Sequence, residues 1–440
     1  MCFTHSTFFC PGSRNLLLTL VIEIPYLATY EYERETMNAL IPRHEHNHNH
    51  NIKSGDITSS QIPELQKKLE SFLPYSIPLV ERIKFHLRHP ISETSRIFVA
   101  ASEIPQDDTL ATGPSRPTNN MQQNQNVNVS DTWLRQDTTT SAATPWLAAH
   151  IDLAHYGQTQ VWLFASWEHP SHSSHTRTHT HTHTHTHTEE KKNNDIDIDP
   201  LHEALVNSLF KYIYTTLIPT MPTTPSEEWL TLRRTGKTLT TPYARTKILF
   251  GTVGDKLWRY FPDHARARTD PGYLKYIFTP DNNPATAARD ASFRLPQDYT
   301  FTPLRPTDLQ TVLDRSSIPR TLSTLSEYLN VGVVYQSNPD PVAWGFLGKD
   351  ASISSLHTET EHRGLGIALC VTRELIRRQH RQASEHGDDK TETGLRWAHA
   401  DVSQSNMPSR RVMEKLGGKP MWMVMWTELD LEKICQPSTS

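Results

Sequence analysis

Apolar side chains in the first half of the chain recur at helical spacing or gather in short, strand-like runs. Leu65, Leu69 and Phe72 lie at i, i+4 and i+7, which predicts a helix at residues 63–73. The same criteria of spacing and composition predict the other elements of this half. They are helices at residues 78–87, 201–217 and 242–260, the last one broken near Gly251–Gly254, and strands at residues 96–101, 146–153, 160–167 and 273–278.

From residue 299 onward, strand-like runs alternate with helical patterns in a regular order. The predicted strands are at residues 299–304, 331–335, 342–347, 352–357, 395–402 and 419–429. The predicted helices are at residues 306–315, 319–329, 363–382 and 406–416. This alternation predicts an α/β (α+β) domain in the last third of the chain.

Polar segments of biased composition interrupt these patterns and are predicted to be disordered. They are a His/Asn-rich stretch at residues 38–60 and low-complexity inserts at 104–144 and 169–199, the second with alternating Thr and His. The length of 440 residues fits two domains with tails. The predicted parts are a disordered or wrongly assigned N-terminal extension (1–60), an N-terminal α/β domain (61–280), a linker (281–297) and a C-terminal domain (298–433).

Charge and cysteine content exclude several classes of function. The formal net charge of −4 indicates no nucleic-acid partner. The four cysteines fit neither a zinc site nor a disulfide framework, which favours reduced thiols and a cytoplasmic, or nuclear, protein. The apolar run at residues 15–24 is too short to span a membrane, so no membrane partner is expected. The Thr-His tract has no fixed ligand geometry, so no metal is expected.

A glycine-containing junction, Glu361 to Ala368 (EHRGLGIA), lies between a predicted strand and a predicted amphipathic helix. Glycines there let the backbone approach a ligand, because they lack a Cβ. The first N–H groups of the helix have no intrahelical acceptor and point toward that ligand, and the helix dipole favours negative charge. The junction is therefore a predicted pyrophosphate site.

The same junction resembles the coenzyme A motif of the GNAT superfamily of acyl-CoA N-acyltransferases, (Gln/Arg)-x-x-Gly-x-(Gly/Ala). The matching residues are Arg363, Gly364, Leu365, Gly366, Ile367 and Ala368. Asn406-Met-Pro-Ser409, followed by Lys-Leu-Gly, is similar to a second segment of the superfamily. Pro341-Val-Ala-Trp344, spaced as it is from Arg363, looks like the glycine N-acyltransferase-like branch. That branch also carries a degenerate N-terminal half.

The resemblance implies a central mixed sheet flanked by helices and direct transfer of an acyl group from acyl-CoA to an amine. Backbone groups at Leu356, His357 and Thr358 would hold the pantetheine, and residues 363–368 would hold the pyrophosphate, with Asn406 and Ser409 nearby. The expected partners are acetyl-CoA or another acyl-CoA and a small amine or amino acid, and the protein is expected to be a monomer or homodimer.

The chain departs from the family at the catalytic positions. The branch's carboxylate base corresponds to Ser352, and Asp350 shares its face if the strand begins there. His357 and Glu361 are further candidate bases. The usual tyrosine acid corresponds to Met413. These departures leave two other functions open, a protein or peptide N-acetyltransferase and an inactive scaffold that binds coenzyme A.

Three other residues with chemical potential are expected to pack in the interior. Trp344 is interpreted as a core aromatic, Cys370 as a small buried hydrophobe and His399 as a core histidine with satisfied hydrogen bonds.

Overall fold

Strands from both halves of the chain join in one mixed sheet in the computed structural model. The structure describes residues 52–89, 92–102, 133–134, 144–154, 157–172, 198–236, 239–270, 272–279, 293–385 and 397–436. The Thr-His alternation and most of the predicted linker and low-complexity inserts lie outside these ranges, so the division into domains stays a prediction. Within the described ranges, no helix is both long and apolar enough to cross a bilayer.

The sheet contains thirteen strands. They are β1 (Ile52–Asp56), β2 (Arg96–Ser102), β3 (Trp146–Ile151), β4 (Val161–Ala165), β5 (Lys247–Gly254), β6 (Arg266–Thr269), β7 (Tyr273–Phe278), β8 (Tyr299–Thr302), β9 (Asn330–Tyr335), β10 (Pro341–Leu347), β11 (Ser352–Thr358), β12 (Ala398–Ser403) and β13 (Lys419–Asp430). The α-helices described are α1 (Ile62–Glu70), α2 (Ile77–Arg88), α3 (Pro200–Tyr212), α4 (Glu227–Arg234), α5 (Asp255–Trp258), α6 (Asp308–Asp314), α7 (Leu322–Ser326), α8 (Ile367–Glu385), α9 (Met407–Lys415) and α10 (Leu431–Cys435).

Two strands cross between the halves of the sheet. The strand order is β1-β2-β3-β4-β5-β13-β7-β12-β11-β10-β9-β8, with β6 beside β13. The last strand, β13, therefore pairs with β5 of the first half, and β7 pairs with β12 of the second half. Only the neighbours β4–β5 and β11–β12 are parallel. Each half thus completes its hydrogen bonding with a strand from the other side of the predicted linker.

Helices cover both faces of the sheet because side chains alternate between the faces along each strand. In the first half, α1 and α2 pack on one face around Phe72 and Trp146, and α3 packs on the other around Phe210. In the second half, α8 and α9 cover one face around Val371, and α6 and α7 cover the other around Trp344. The predicted fold class, mixed α/β with a large sheet flanked by helices, is confirmed.

The predicted helix at residues 242–260 is wrong. Residues 247–254 form β5, and only the short α5 follows. In β5, Leu249 pairs with Glu428 and Ile248 pairs with Leu429. The apolar run at 248–250 is buried between neighbouring strands, so pairing with a segment distant in sequence overrides the local helical spacing. The disorder predicted for residues 38–60 is wrong at its C-terminal end, because Ile52–Asp56 form β1 and pair with β2. The other predicted elements are present with small shifts at their ends.

A buried ion pair lies where the two halves meet. Lys275 of β7 is opposite Asp401 of β12, and their side chains are only 1% and 6% exposed. The Lys275 Nζ donates hydrogen bonds to Asp401 Oδ2 (2.8 Å), to Thr252 Oγ1 of β5 (2.7 Å) and to His399 Nδ1 (3.3 Å). The three donors of the ammonium group are thereby satisfied by three different partners, and β5 is linked to β7 and β12.

Removing one member of this pair is expected to destabilise the protein. Lys275→Met should lower the free energy of unfolding by about 3–5 kcal/mol, because it leaves the Asp401 carboxylate buried without its counter-charge. The double variant Lys275→Met/Asp401→Leu should recover much of that loss. Urea denaturation measures both, with Arg234→Met as a control, since its pair with Glu227 is exposed. An equal loss in Arg234→Met and Lys275→Met would contradict the prediction.

Candidate active site

A cleft opens between the parallel strands β11 and β12. The two strands pair at Ser352↔His399 and Ile353↔Ala400, and their pairing ends there. Residues 354–358 of β11 are half-buried, whereas every residue of β10 beside them is buried. The backbone edge of β11 is thus available to a ligand along Leu356, His357 and Thr358, where the sequence predicts the pantetheine to bind.

A β-bulge lies at the mouth of this cleft. Ser354 pairs with Phe346 and His357 pairs with Trp344, so one extra residue of β11 is accommodated between these pairs. Ser355 adopts a left-handed backbone with φ of 49°. The bulge keeps Ser354 and His357 on the face of the sheet that α6 and α7 cover, and it bends β11 at the point where it leaves β12.

The predicted pyrophosphate site lies at the far end of β11. Gly364 and Gly366 have φ values of +80° and +78°, and a Cβ at either residue would have no neighbouring atom within 4 Å. The helix α8 begins directly afterwards at Ile367, and its first described return bonds run from the Leu369 and Cys370 amides to the Gly366 carbonyl. The amides from Leu365 to Ala368 therefore lie at a helix N-terminus beside open space, with the polarity that an anion requires.

Arg363, Asn406 and Ser409 take local structural roles. The Arg363 Nε donates to the carbonyl of Thr358 (2.9 Å), which connects the glycine loop to the end of β11. The Asn406 side chain caps α9 by accepting from the Ser409 amide (3.1 Å). Both capping residues follow β12, the other strand of the cleft. Their contact with a cofactor stays a prediction.

Asp350 and Ser352 form a closed turn at the start of β11. The Asp350 Oδ1 accepts from the Ser352 amide (3.1 Å) and from its hydroxyl (2.6 Å). Burial acts to raise the pKa of Asp350, but His399, Lys275 and the bonds from Ser352 outweigh it and hold the pKa below its usual value. The Asp350 carboxylate is consequently ionised, hydrogen-bonded to Ser352 and a weak base.

His357 lies at the other end of β11 and has a different environment. Its ring stacks on Trp344, with centroids 4.6 Å apart. Its Nε2 is buried, has no hydrogen-bond partner among the described residues and lies 3.5 Å from Glu359 Oε2. At about 3.3 Å per residue, His357 is roughly 15 Å from Ser352, so the two cannot serve the same reacting nitrogen.

The residues expected to pack in the interior do so. Trp344 is 1% exposed and Cys370 is 5% exposed. His399 is fully buried, and its Nε2 donates to the Asp350 carbonyl (2.8 Å) while its Nδ1 faces Lys275. Among the described residues, no group of three or more His, Cys, Asp or Glu is arranged to hold a metal ion.

Sequence analysis missed the contribution of the first half to this region. Arg82 of α2 is 3% exposed, and the charges of Asp350 and Glu327 in the second half act on it. Burial lowers its pKa to about 10 against the opposing effect of Asp152. Lys349 lies over the Phe85 ring of α2, 5.7 Å from its centroid. The helix α2 therefore covers the turn between β10 and β11, and no local sequence signal indicates this contact.

The first half contains a similar parallel pair that lacks the anion site. The strands β4 and β5 pair only at Val161↔Phe250. The helix α3 begins there, but the Asp199 carboxylate accepts from the Leu201 and His202 amides (2.9 and 3.2 Å). Because a side-chain anion already occupies these donors, a phosphate is repelled from this helix.

A substitution at Gly366 tests the anion site. Gly366→Glu should weaken the binding of coenzyme A by roughly 100-fold or more, because it would place a carboxylate beside the amides that are predicted to bind the pyrophosphate. Gly236→Glu is a matched control, since Gly236 also has a positive φ (+68°) and equally open surroundings. Calorimetric titration of the folded variants measures the effect. Equal affinities of the two variants would remove the argument for this site.

Comparison with solved structures finds loose resemblances over most of the chain. A Drosophila protein of a structural genomics programme is 10% identical, with 86% of this chain and 98% of that one covered and a TM-score of 0.46. A tandem GNAT protein from the clavulanic acid biosynthesis pathway is 11% identical, with 88% and 100% covered and a TM-score of 0.39. No curated protein matches the chain.

A family profile matches the first half of the chain. The profile described as the N-terminal domain of the acyl-CoA N-acyltransferase verG matches residues 49–276, just over half of the 440 residues. The matched region runs from β1 into β7, the strand that supports the cleft from the β12 side. The chain therefore belongs to this family of acyl-CoA N-acyltransferases.

Proposed function

We propose that this protein transfers an acetyl or other acyl group from acyl-CoA to the amine of a small molecule or an amino acid. The observation that carries the proposal is the cleft between β11 and β12, which leads to the free amides before α8. The resemblance of Pro341-Val-Ala-Trp344 to the glycine N-acyltransferase-like branch favours an acceptor of this size.

Contacts between the two halves of the chain favour a small amine over a folded protein as the acceptor. The helix α2 of the first half lies against the β10–β11 turn, with Lys349 over the Phe85 ring. Farther along, Tyr75 stacks on Trp422 of β13, with ring centroids 4.7 Å apart. A protein N-acetyltransferase needs room for a peptide to lie across the thioester, and these contacts between the halves restrict that room.

In the proposed reaction the amine nitrogen attacks the carbonyl carbon of the thioester. The carbon–sulfur bond breaks, coenzyme A leaves as a thiolate, and the nitrogen loses a proton. Backbone N–H groups on the free edge of β11 would polarise the carbonyl, since they belong to a strand without a partner there. Met413 of α9 is buried in the core, and its thioether has no acidic proton to give to the leaving thiolate.

We assign the role of base to His357. Its Nε2 lacks a hydrogen bond among the described residues, and Glu359 at 3.5 Å can orient the ring. Asp350 is the weaker candidate, because Ser352 already occupies its carboxylate and its pKa is low. The Ser352 hydroxyl donates to Asp350 and would serve the turn rather than the reaction.

Substitution distinguishes these assignments. His357→Gln should lower kcat by about 10²- to 10⁴-fold with little change in the affinity for acyl-CoA, because proton removal alone is lost. Asp350→Asn should change kcat far less. A thiol-release assay on the full chain, with acyl-CoAs of several lengths and a panel of amines, measures both. A larger loss in Asp350→Asn than in His357→Gln would reverse the assignment. Coenzyme A binding without amine-dependent thiol release would support the inactive scaffold.

A further inference from the structure

Arg320 is an arginine beside the cleft that the proposed reaction has not used. It precedes α7, and its Nη1 lies 3.0 Å from Ser355 Oγ and 3.4 Å from Ser354 Oγ. Its guanidinium carbon lies 5.4 Å from the centroid of the Tyr328 ring. The side chain is half-buried, so the structure holds it in place while part of it stays accessible.

Several other arginines of the second half have carboxylate partners. Arg305 pairs with Asp308 (2.5 Å), Arg315 with Glu359 (3.0 Å) and Arg378 with Glu374 (2.8 Å). Arg320 forms no ion pair with any residue in the described ranges; its hydrogen bonds there go to two neutral serine hydroxyls. A carboxylate brought to this guanidinium would replace weak neutral bonds with charge-assisted ones, which are about twice as strong.

The position of Arg320 relates it to the reacting atoms. The last pair between β11 and β12 is Ile353↔Ala400, so Ser354 and Ser355 are the residues at which the cleft opens. We place the thioester of the proposed reaction at this opening. The amine of an α-amino acid is separated from its carboxylate by a single carbon atom. A carboxylate held by Arg320 therefore keeps the amine close to the mouth of the cleft.

We propose that Arg320 binds the carboxylate of the acceptor, and that the acceptor is an amino acid rather than a simple amine. This inference rests on the proposed function. It narrows the acceptor to a molecule with an amine and a carboxylate on the same carbon atom. The fork of the guanidinium suits a planar carboxylate with two oxygens, so lysine should not replace arginine fully.

Paired acceptors test the inference. Transfer to glycine and phenylalanine is compared with transfer to their amides, which retain the amine and lose the carboxylate charge. The wild-type protein should prefer the amino acids. Arg320→Gln should lower kcat/KM for the amino acids by about 10- to 100-fold and leave that for the amides within about twofold. Arg320→Lys should lie between. Arg305→Gln, which removes an arginine already paired with Asp308, is the matched control.

The possible failures are distinguishable. Equal losses for amino acids and amides in Arg320→Gln would mean that Arg320 only braces β11, and wild-type transfer without preference for a carboxylate would also overturn the inference. If the wild-type protein binds acyl-CoA but transfers to no amine, the proposed function fails. Calorimetric titration of glycine and N-acetylglycine into the coenzyme A-loaded protein then tests whether Arg320 binds a carboxylate. Binding that Arg320→Gln abolishes would retain the carboxylate site, and no binding would overturn it.

Discussion

Every strand inside a sheet must pair its backbone groups on both sides, and in this protein that requirement joins the two halves of the chain. The strand β12 pairs with β7 along all six of its residues but with β11 along only two. It can part from β11 because β7 supports it from the other side. The cleft therefore depends on a strand that precedes the predicted linker, and the Lys275–Asp401 pair strengthens the same seam.

The two halves show how one topology can either create or abolish an anion site. Both contain a parallel pair of strands that meet briefly and a helix that begins beyond the first strand. In the second half, glycines at positive φ leave the helix amides free. In the first half, the Asp199 carboxylate satisfies them. The family profile matches the first half, the part of the chain that supports and covers the cleft.

Local features could be predicted from the sequence and long-range ones could not. Periodicity predicted most elements but not β1, β6 or α4. Gly364 and Gly366 indicated the anion site because their role depends on adjacent residues. The strand β5 was missed because its stability comes from β13, whose paired residues lie 170 to 183 positions later. Arg320 and Arg82 carried no local signal, since only tertiary packing brings them to β11. The choice between Asp350 and His357 required the hydrogen bonds of both side chains.

The exchange of strands also sets an order of events during synthesis. The strand β5 leaves the ribosome well before β13, the partner that completes its pairing. At roughly 5–20 residues per second, that interval lasts on the order of ten seconds or more. During it, the first half displays an unpaired strand edge that can associate with other nascent chains. Chaperones that shield such edges are therefore expected to act on this protein until β13 has emerged.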